Sequence, residues 1–285
     1  HTHTHARTHA RTFSLPPLFL LLLCLDLSLI FAGKGMSAKV LYGKLGDAKA
    51  AVKVARNAEH SGSVLHEAVA LSTLEHNHVL GLLALCLDQR LPQMLTAYCP
   101  KGDLHSYLRL RPEASVGPSR LKHFALGVAR GLEYLAARSI VHNDISARNV
   151  LVDLDYTTKI SDFALAYWPG LKQPPPKRQA LPVRWAAPEC LREEEGAFVP
   201  AADMWSFGVL LFEVYSQGSR PYNHCSSNAE VEEGIREGTL RLERPPRAPD
   251  EVNTIINNMC LVQPASARAP CSDVCEALSR VPVPS

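Results

Sequence analysis

Short apolar runs dominate the first third of the chain, and long helical stripes dominate the rest. Residues 51–54, 82–87 and 91–97 have the length and content of strands. Between them, Val64, Ala68, Leu71 and Leu74 recur at helical spacing and predict a helix over 64–74. Further on, Leu121, Phe124, Ala125, Val128, Leu132 and Leu135 share one face of a helix predicted over 119–138, with Ser119 as its cap. Residues 200–218 are apolar nearly all round, as a helix enclosed in a large lobe must be, and Asp203 is the conspicuous polar exception. Cys271 and Cys275, one helical turn apart, read as two small core-facing residues of a terminal helix.

Composition narrows the function classes. The 285 residues leave room for one large two-lobed domain, and a hydrophobic share of 46% is ordinary for a globular protein. A formal charge of +2, with the basic residues scattered, gives no argument for nucleic acid or an anionic membrane as partner. Eight Cys without a C-x-x-C pair suggest neither a zinc site nor a disulfide framework, which points to a reduced, cytosolic setting. Residues 1–12 are a His/Thr-rich low-complexity repeat with nothing to bury and are set outside the fold. The first Met is Met36, so a fragment or a misread gene start is expected.

The candidate chemistry centres on Asp144 and Asn149, five positions apart between the apolar runs 140–141 and 150–152. That spacing lets a loop aim Asp144 at a substrate hydroxyl while Asn149 turns to a metal ion held on nucleotide phosphates. Thirteen positions past Asn149, Asp162 is a second carboxylate placed for Mg²⁺. Upstream, Lys53 is a lone cation in an apolar strand and needs a partner, which Glu67 offers from beside the helical stripe of 64–74. His142, between apolar neighbours, reads as a packed core histidine rather than a base. Gly33 and Gly35, followed by Val40, suit a loop over phosphates or a plain hairpin turn.

Taken in order, Lys53, Glu67, residues 141–152 and Asp162-Phe163-Ala164 resemble the eukaryotic protein-kinase family. The resemblance implies an α+β bilobal fold, with a β-rich N-lobe over 25–97, a helical C-lobe over 98–282 and a leader, 1–24, outside it. It gives 27–32 the place of the first strand, which conflicts with the alternative that the apolar run 13–32 is a signal peptide or membrane anchor. It further implies Asp144 as catalytic base, with Arg148, Lys53 and Glu67 in the catalytic set. Asn149 and Asp162 become metal ligands. Gly33, Gly35, Val40, Ala51, Lys53, Thr96, Ala97, Tyr98, Cys99 and Leu151 would surround ATP, with the backbone of 97–99 facing adenine. Asp103 then reaches the ribose or caps the helix starting at Leu104, Asp203 holds the catalytic loop or caps its own helix, and Arg268 pairs with Glu189.

Ser146-Ala147-Arg148-Asn149 and the platform 181–189 are similar to tyrosine-specific kinases. The implied function is an ATP- and Mg²⁺-dependent protein-tyrosine kinase, with a catalytically impaired signalling scaffold as the alternative. Its partners are then ATP and a protein substrate or signalling partner. The Asp-Phe-Ala triplet leans toward the receptor-type Ryk/Derailed branch, which implies a cytoplasmic kinase domain joined to a membrane through an upstream segment. Departures are Asn143 for Arg, Ala164 for Gly, and Leu261 and Ala269 at a corner expected to be looser. Ala164 is expected to cost about 1–2 kcal/mol if its φ must be positive. With Asn143 present and only Tyr167 in 162–189, no phosphorylation switch is expected there. The run Pro174-Pro175-Pro176 reads as a docking ligand for an SH3-type module or as a rigid surface loop.

Overall fold

Alternation of apolar residues builds a five-stranded antiparallel sheet in the order β1-β2-β3-β5-β4. Its strands are β1 (Ile30–Lys34), β2 (Ala38–Leu45), β3 (Ala48–Ala55), β4 (Leu82–Cys86) and β5 (Gln93–Ala97). The computed structural model describes residues 30–34, 38–45, 48–87, 90–167 and 174–283. Residues 1–29, and with them the run 13–29, lie outside the described residues, as does Gly35. Strand β1 runs on through Gly33, which pairs with Val40 next to a register shift, so Gly33 belongs to a strand and not to the loop expected after residue 32.

Register decides which side chains face the cleft. Lys53 lies opposite Val40 on one side and Met94 on the other, and Ala51 lies opposite Thr96. Side chains alternate along a strand, so Val40, Ala51, Lys53, Met94 and Thr96 share one face, while Ala50, Val52 and Leu95 close a small core on the other. Helix α1 (Ser61–Ser72) covers the first face with Val64, Ala68 and Leu71.

The remainder is helical: α2 (Leu104–Arg109), α3 (Pro118–Ala136), α5 (Pro200–Tyr215), α7 (Asp250–Ile255) and α8 (Cys271–Arg280) share one core, while α4 (Pro188–Leu191) and α6 (Asn228–Glu237) pack with another side of α5 in a second. A two-stranded ribbon of β6 (Val150–Val152) and β7 (Thr158–Ile160) packs against α2 and α3. The expected cap at Ser119 is displaced: α3 starts at Pro118 after Gly117, because a proline's fixed φ suits the first helical position. Gly131 lets α3 sit hard against β7; a Cβ there would meet Ile160 at 2.7 Å and the His78 carbonyl at 2.8 Å. That close approach fixes where β7 releases the chain toward Asp162. Cys271 is buried on α8, and Cys275 packs partly buried beside it. Among the described residues, no helix is long and apolar enough to cross a membrane.

Candidate active site

Three elements bring charges together at the mouth between sheet and helices. Lys53 Nζ, from β3, donates to Glu67 Oε2 of α1 at 2.5 Å and to Asp162 Oδ1 beyond β7 at 2.9 Å. Glu67 is 2% exposed. Burial alone would lower the Lys53 pKa, but the two carboxylates outweigh it and raise it above the usual lysine value. Burial pushes Glu67 up to about 6 against the pull of Lys53, whereas at Asp162 that pull overcomes burial and holds the carboxyl below its ordinary value. All three are therefore charged at neutral pH.

The segment after β7 is set by backbone conformation. Asp162 adopts φ 63°, ψ 67°, and Phe163–Leu165 then form a 3₁₀ turn. Ala164 is not among the positive-φ residues, so the cost expected at its Cβ does not arise; the left-handed conformation falls on Asp162, a residue type that tolerates it. Phe163 is fully buried with its ring edge-on to His142, centroids 4.7 Å apart.

His142 is a linchpin and not a base. Burial drives its pKa down to about 4. The neutral ring donates from Nε2 to the Ser161 carbonyl at 3.0 Å and accepts the Asp144 amide at Nδ1, 3.2 Å away. Asp203 accepts the backbone N–H groups of His142 at 2.6 Å and Asn143 at 2.9 Å, so it holds the loop and caps nothing; the residue before α5 is Val199. Burial raises Asp203 to about 7.

Around this anchor the loop presents Asp144, which burial raises to about 6 despite the opposing pull of Arg148. Arg148 donates to Asp144 Oδ1 at 2.7 Å, and Asn149 turns its Nδ2 onto the Asp144 carbonyl at 2.8 Å, which presents the carboxamide oxygen for another partner. Asn143, at φ 64° and buried, donates its side-chain amide to the Leu165 carbonyl at 3.0 Å. An Asn suits that left-handed backbone, and its carboxamide ties the catalytic loop to the segment following Asp162.

Beneath the sheet, Thr96 is buried at the end of β5. The Ala97 amide donates to Gly81 O, so of Ala97's two backbone groups only the carbonyl is left to face a base; the Cys99 carbonyl accepts from Gly102. Asp103 caps α2 by accepting from Ser106 N at 2.8 Å and bridges Leu151 through its backbone. Of its two expected roles the structure therefore shows the cap. Tyr98 stacks edge-on to Tyr42, centroids 4.9 Å apart.

The corner expected to be loose is closed. Arg268 grips Glu189 through two bonds of 2.5 and 2.8 Å and also donates to the carbonyls of Val262 and Ala201. Leu261 packs against Gly208 of α5, which fills the corner with apolar contact. Sequence reasoning missed Ser206 and Glu213. Ser206 donates to the Trp185 carbonyl at 2.7 Å; Glu213 accepts the Trp185 indole N–H at 2.9 Å and the Ala147 amide at 2.8 Å. The signal was present: Asp203, Ser206 and Glu213 lie on one face of an otherwise apolar helix, at offsets of three and ten residues.

A family profile described as protein tyrosine and serine/threonine kinase matches residues 30–278. The chain is 38% identical over 248 residues to the megakaryocyte-associated tyrosine-protein kinase of Rattus norvegicus, covering 87% of this chain and 51% of that protein. It is 34% identical over 227 residues to the tyrosine-protein kinase csk-1 of Caenorhabditis elegans, with coverage of 79% and 41%. Against the tyrosine-protein kinase receptor svh-2 of the same nematode it is 31% identical over 221 residues, with coverage of 75% and 20%. The chain thus spans about half the length of these relatives or less. Its bilobal architecture, its charged cleft and a profile match over most of its length place the chain in the protein tyrosine and serine/threonine kinase family.

Proposed function

We propose that this chain is the phosphoryl-transfer domain of a protein-tyrosine kinase, with lobes dividing between residues 97 and 98. The observation that carries the reading is the joint placement of Lys53 on Glu67 and Asp162, with Asp144 on a loop anchored by Asp203. Lys53, charged and fixed by two carboxylates, orients nucleotide phosphates against the face shared by Val40, Ala51 and Thr96. Strand β1 brings Gly33 over the phosphates, the Ala97 carbonyl and the backbone of Tyr98 and Cys99 meet the adenine, and Leu151 supports it from below. A tyrosine hydroxyl gives its proton to Asp144 as its oxygen attacks the γ-phosphorus and the bond to the β-phosphate oxygen breaks. Arg148 holds one carboxylate oxygen of Asp144, which turns the other to the phenol.

The donor set suits magnesium. Asn149 and Asp162 offer oxygen ligands, and no cluster of three or more His, Cys, Asp or Glu occurs among the described residues. Such a site fits an ion that keeps waters and substrate phosphates as its other ligands. Magnesium, when bound, neutralises charge on the phosphates; Asn149 and Asp162 would hold it.

Neither sequence departure removes one of these groups, and Asn143 supports a closed catalytic loop without a phosphate. The weak, unswitched kinase is accordingly preferred to the catalytically silent scaffold. The finer placement among receptor-type, Ryk/Derailed-like kinases is supported by Asn143 and the Asp-Phe-Ala triplet; of the three relatives named, only svh-2 is called a receptor. Attachment to a membrane through an upstream segment, on the cytoplasmic side, belongs to that placement. Transfer of the γ-phosphate to a tyrosine peptide tests the function. Wild-type protein should show magnesium-dependent transfer that Lys53→Ala removes, whereas equal background from both proteins would leave the scaffold.

A further inference from the structure

Two consecutive carbonyls beyond Asp162 are taken by side chains from opposite sides of the cleft. Leu165 O accepts the Asn143 carboxamide of the catalytic loop at 3.0 Å, and Ala166 O accepts Nε2 of His66 at 2.8 Å. A carbonyl only accepts, so this bond places a proton on Nε2. His66 stands on α1 directly before Glu67, a hundred residues from its partner in sequence. The next residue, Tyr167, exchanges both backbone bonds with Val141 at 2.8 Å. The segment after Asp162 is thus pinned to the catalytic loop, and His66 ties α1 to that pinned segment.

The helix needs such a tie. Its N-cap, His60, makes no side-chain capping bond, and its first turn holds no acid to favour the positive end of the helix dipole. Glu67 is carried inward against the cost of desolvation, and a swing of α1 toward solvent would return that carboxylate to water and take it off Lys53. We propose that His66 is a positioning residue for phosphoryl transfer, stapling α1 to the segment after Asp162 so that Glu67 stays on Lys53 with no phosphate on that segment. This deepens the tyrosine-transfer reading above and rests on it. Transfer requires the Lys–Glu pair and the metal-binding Asp in place together, and the bond from residue 66 to residue 166 joins the two. The staple fixes the helix, while the partly exposed Lys53 and Asp162 side chains can still re-form their bonds around phosphates.

The test combines hydrogen exchange over residues 61–72 of the nucleotide-free chain with steady-state transfer to a tyrosine peptide. Binding of that peptide is measured by calorimetry with Mg²⁺ and a non-hydrolysable ATP analogue. His66→Ala should speed exchange over 61–72 about three- to tenfold, as expected from losing one neutral hydrogen bond, and leave residues 200–215 unchanged. As the engaged population drops, kcat should fall about two- to fivefold while peptide affinity stays within about twofold. His66→Gln, whose carboxamide N–H can reach the same carbonyl, should bring both exchange and kcat most of the way back. Unchanged exchange over 61–72 or unchanged kcat in His66→Ala, a peptide affinity that falls with kcat, or a Gln variant no better than Ala would each overturn the proposal. Because hydrogen exchange needs no turnover, a staple seen in exchange and rescued by Gln, in a chain that transfers no phosphate, would sink the kinase reading alone.

Discussion

The two halves of the cleft are held by different physics. On the sheet side, Lys53, Glu67 and Asp162 form a chain of ion pairs in which Lys53 and Asp162 remain partly exposed, with side-chain exposures of 20% and 42%. On the helical side, the buried carboxylates Asp203 and Glu213 accept N–H groups from the loop and platform, and both project from the rigid rod of α5. Ion pairs open to water can re-form around a ligand, while buried acceptors serving several backbone donors leave little freedom. The nucleotide end is thus built to adjust and the transfer end to stay fixed.

The sharpest way to separate binding from transfer is Asp144→Asn. Loss of a positioned base should lower transfer by about 10²- to 10⁴-fold in a radiometric assay while nucleotide binding persists. A loss of nucleotide affinity on the same scale would show that the two halves are not separate.

The next largest effect should fall on stability. Asp203→Ala orphans two buried N–H groups, each costing about 1–3 kcal/mol, which at about 2–4 °C per kcal/mol corresponds to a fall in Tm of about 4–24 °C by calorimetry. Glu67→Gln, on the adjustable side, should leave Tm nearly unchanged but depress transfer. Equal losses of Tm in both would erase the distinction.

These contrasts were only partly legible in the sequence. Lys53 announces itself because a cation in an apolar run needs a reason, and Asp144, Asn149 and Asp162 by their spacing around the apolar runs 140–141 and 150–152. Glu213 and Ser206 were hidden by the apolar character of α5, where Asp203 drew attention and the periodicity of the other two went unread. The cost at Ala164 was conditional on a positive φ, and because φ is a property of the turn as a whole the left-handed residue here is Asp162. The start of α3 shifted because a proline's geometry outweighs a serine's capping oxygen. The individual strands and helices were the more readable part, since their periods persist over many residues, whereas the bilobal fold was legible through the family resemblance and a site depends on single contacts across more than a hundred positions.

A pH series sharpens the comparison further. Asp144 is active as the charged base, so kcat/KM should rise as pH passes upward through about 6. Folding stability should run the opposite way for Asp203 and Glu213, each raised to about 7 by burial. The folded form binds their protons more tightly than the unfolded chain does. Their contribution is therefore fully present below about pH 4 and lost as pH rises through about 7. Urea unfolding at pH 5 and pH 8 should show this difference, reduced in Glu213→Gln. A flat profile would mean that these acids stay ionised in the core.

The smallest effect should come from Tyr167→Phe. Both backbone groups of Tyr167 are bonded to Val141, and Asn143 already ties the following loop to Leu165, so turnover should change less than twofold by the same radiometric assay. A marked fall, accompanied by phosphate on Tyr167 in the wild type, would restore a phosphorylation switch.

The central claim is that Lys53, Asn149 and Asp162 converge on one magnesium-bound triphosphate, and thermal unfolding with Mg²⁺ and ATP tests it most directly. Wild-type protein should be stabilised more by ATP with magnesium than by ATP alone, by an amount that grows with ligand concentration, and Asp162→Asn should lose that increment. No stabilisation of the wild type at millimolar Mg²⁺ and ATP, or an undiminished increment in Asp162→Asn, would contradict it.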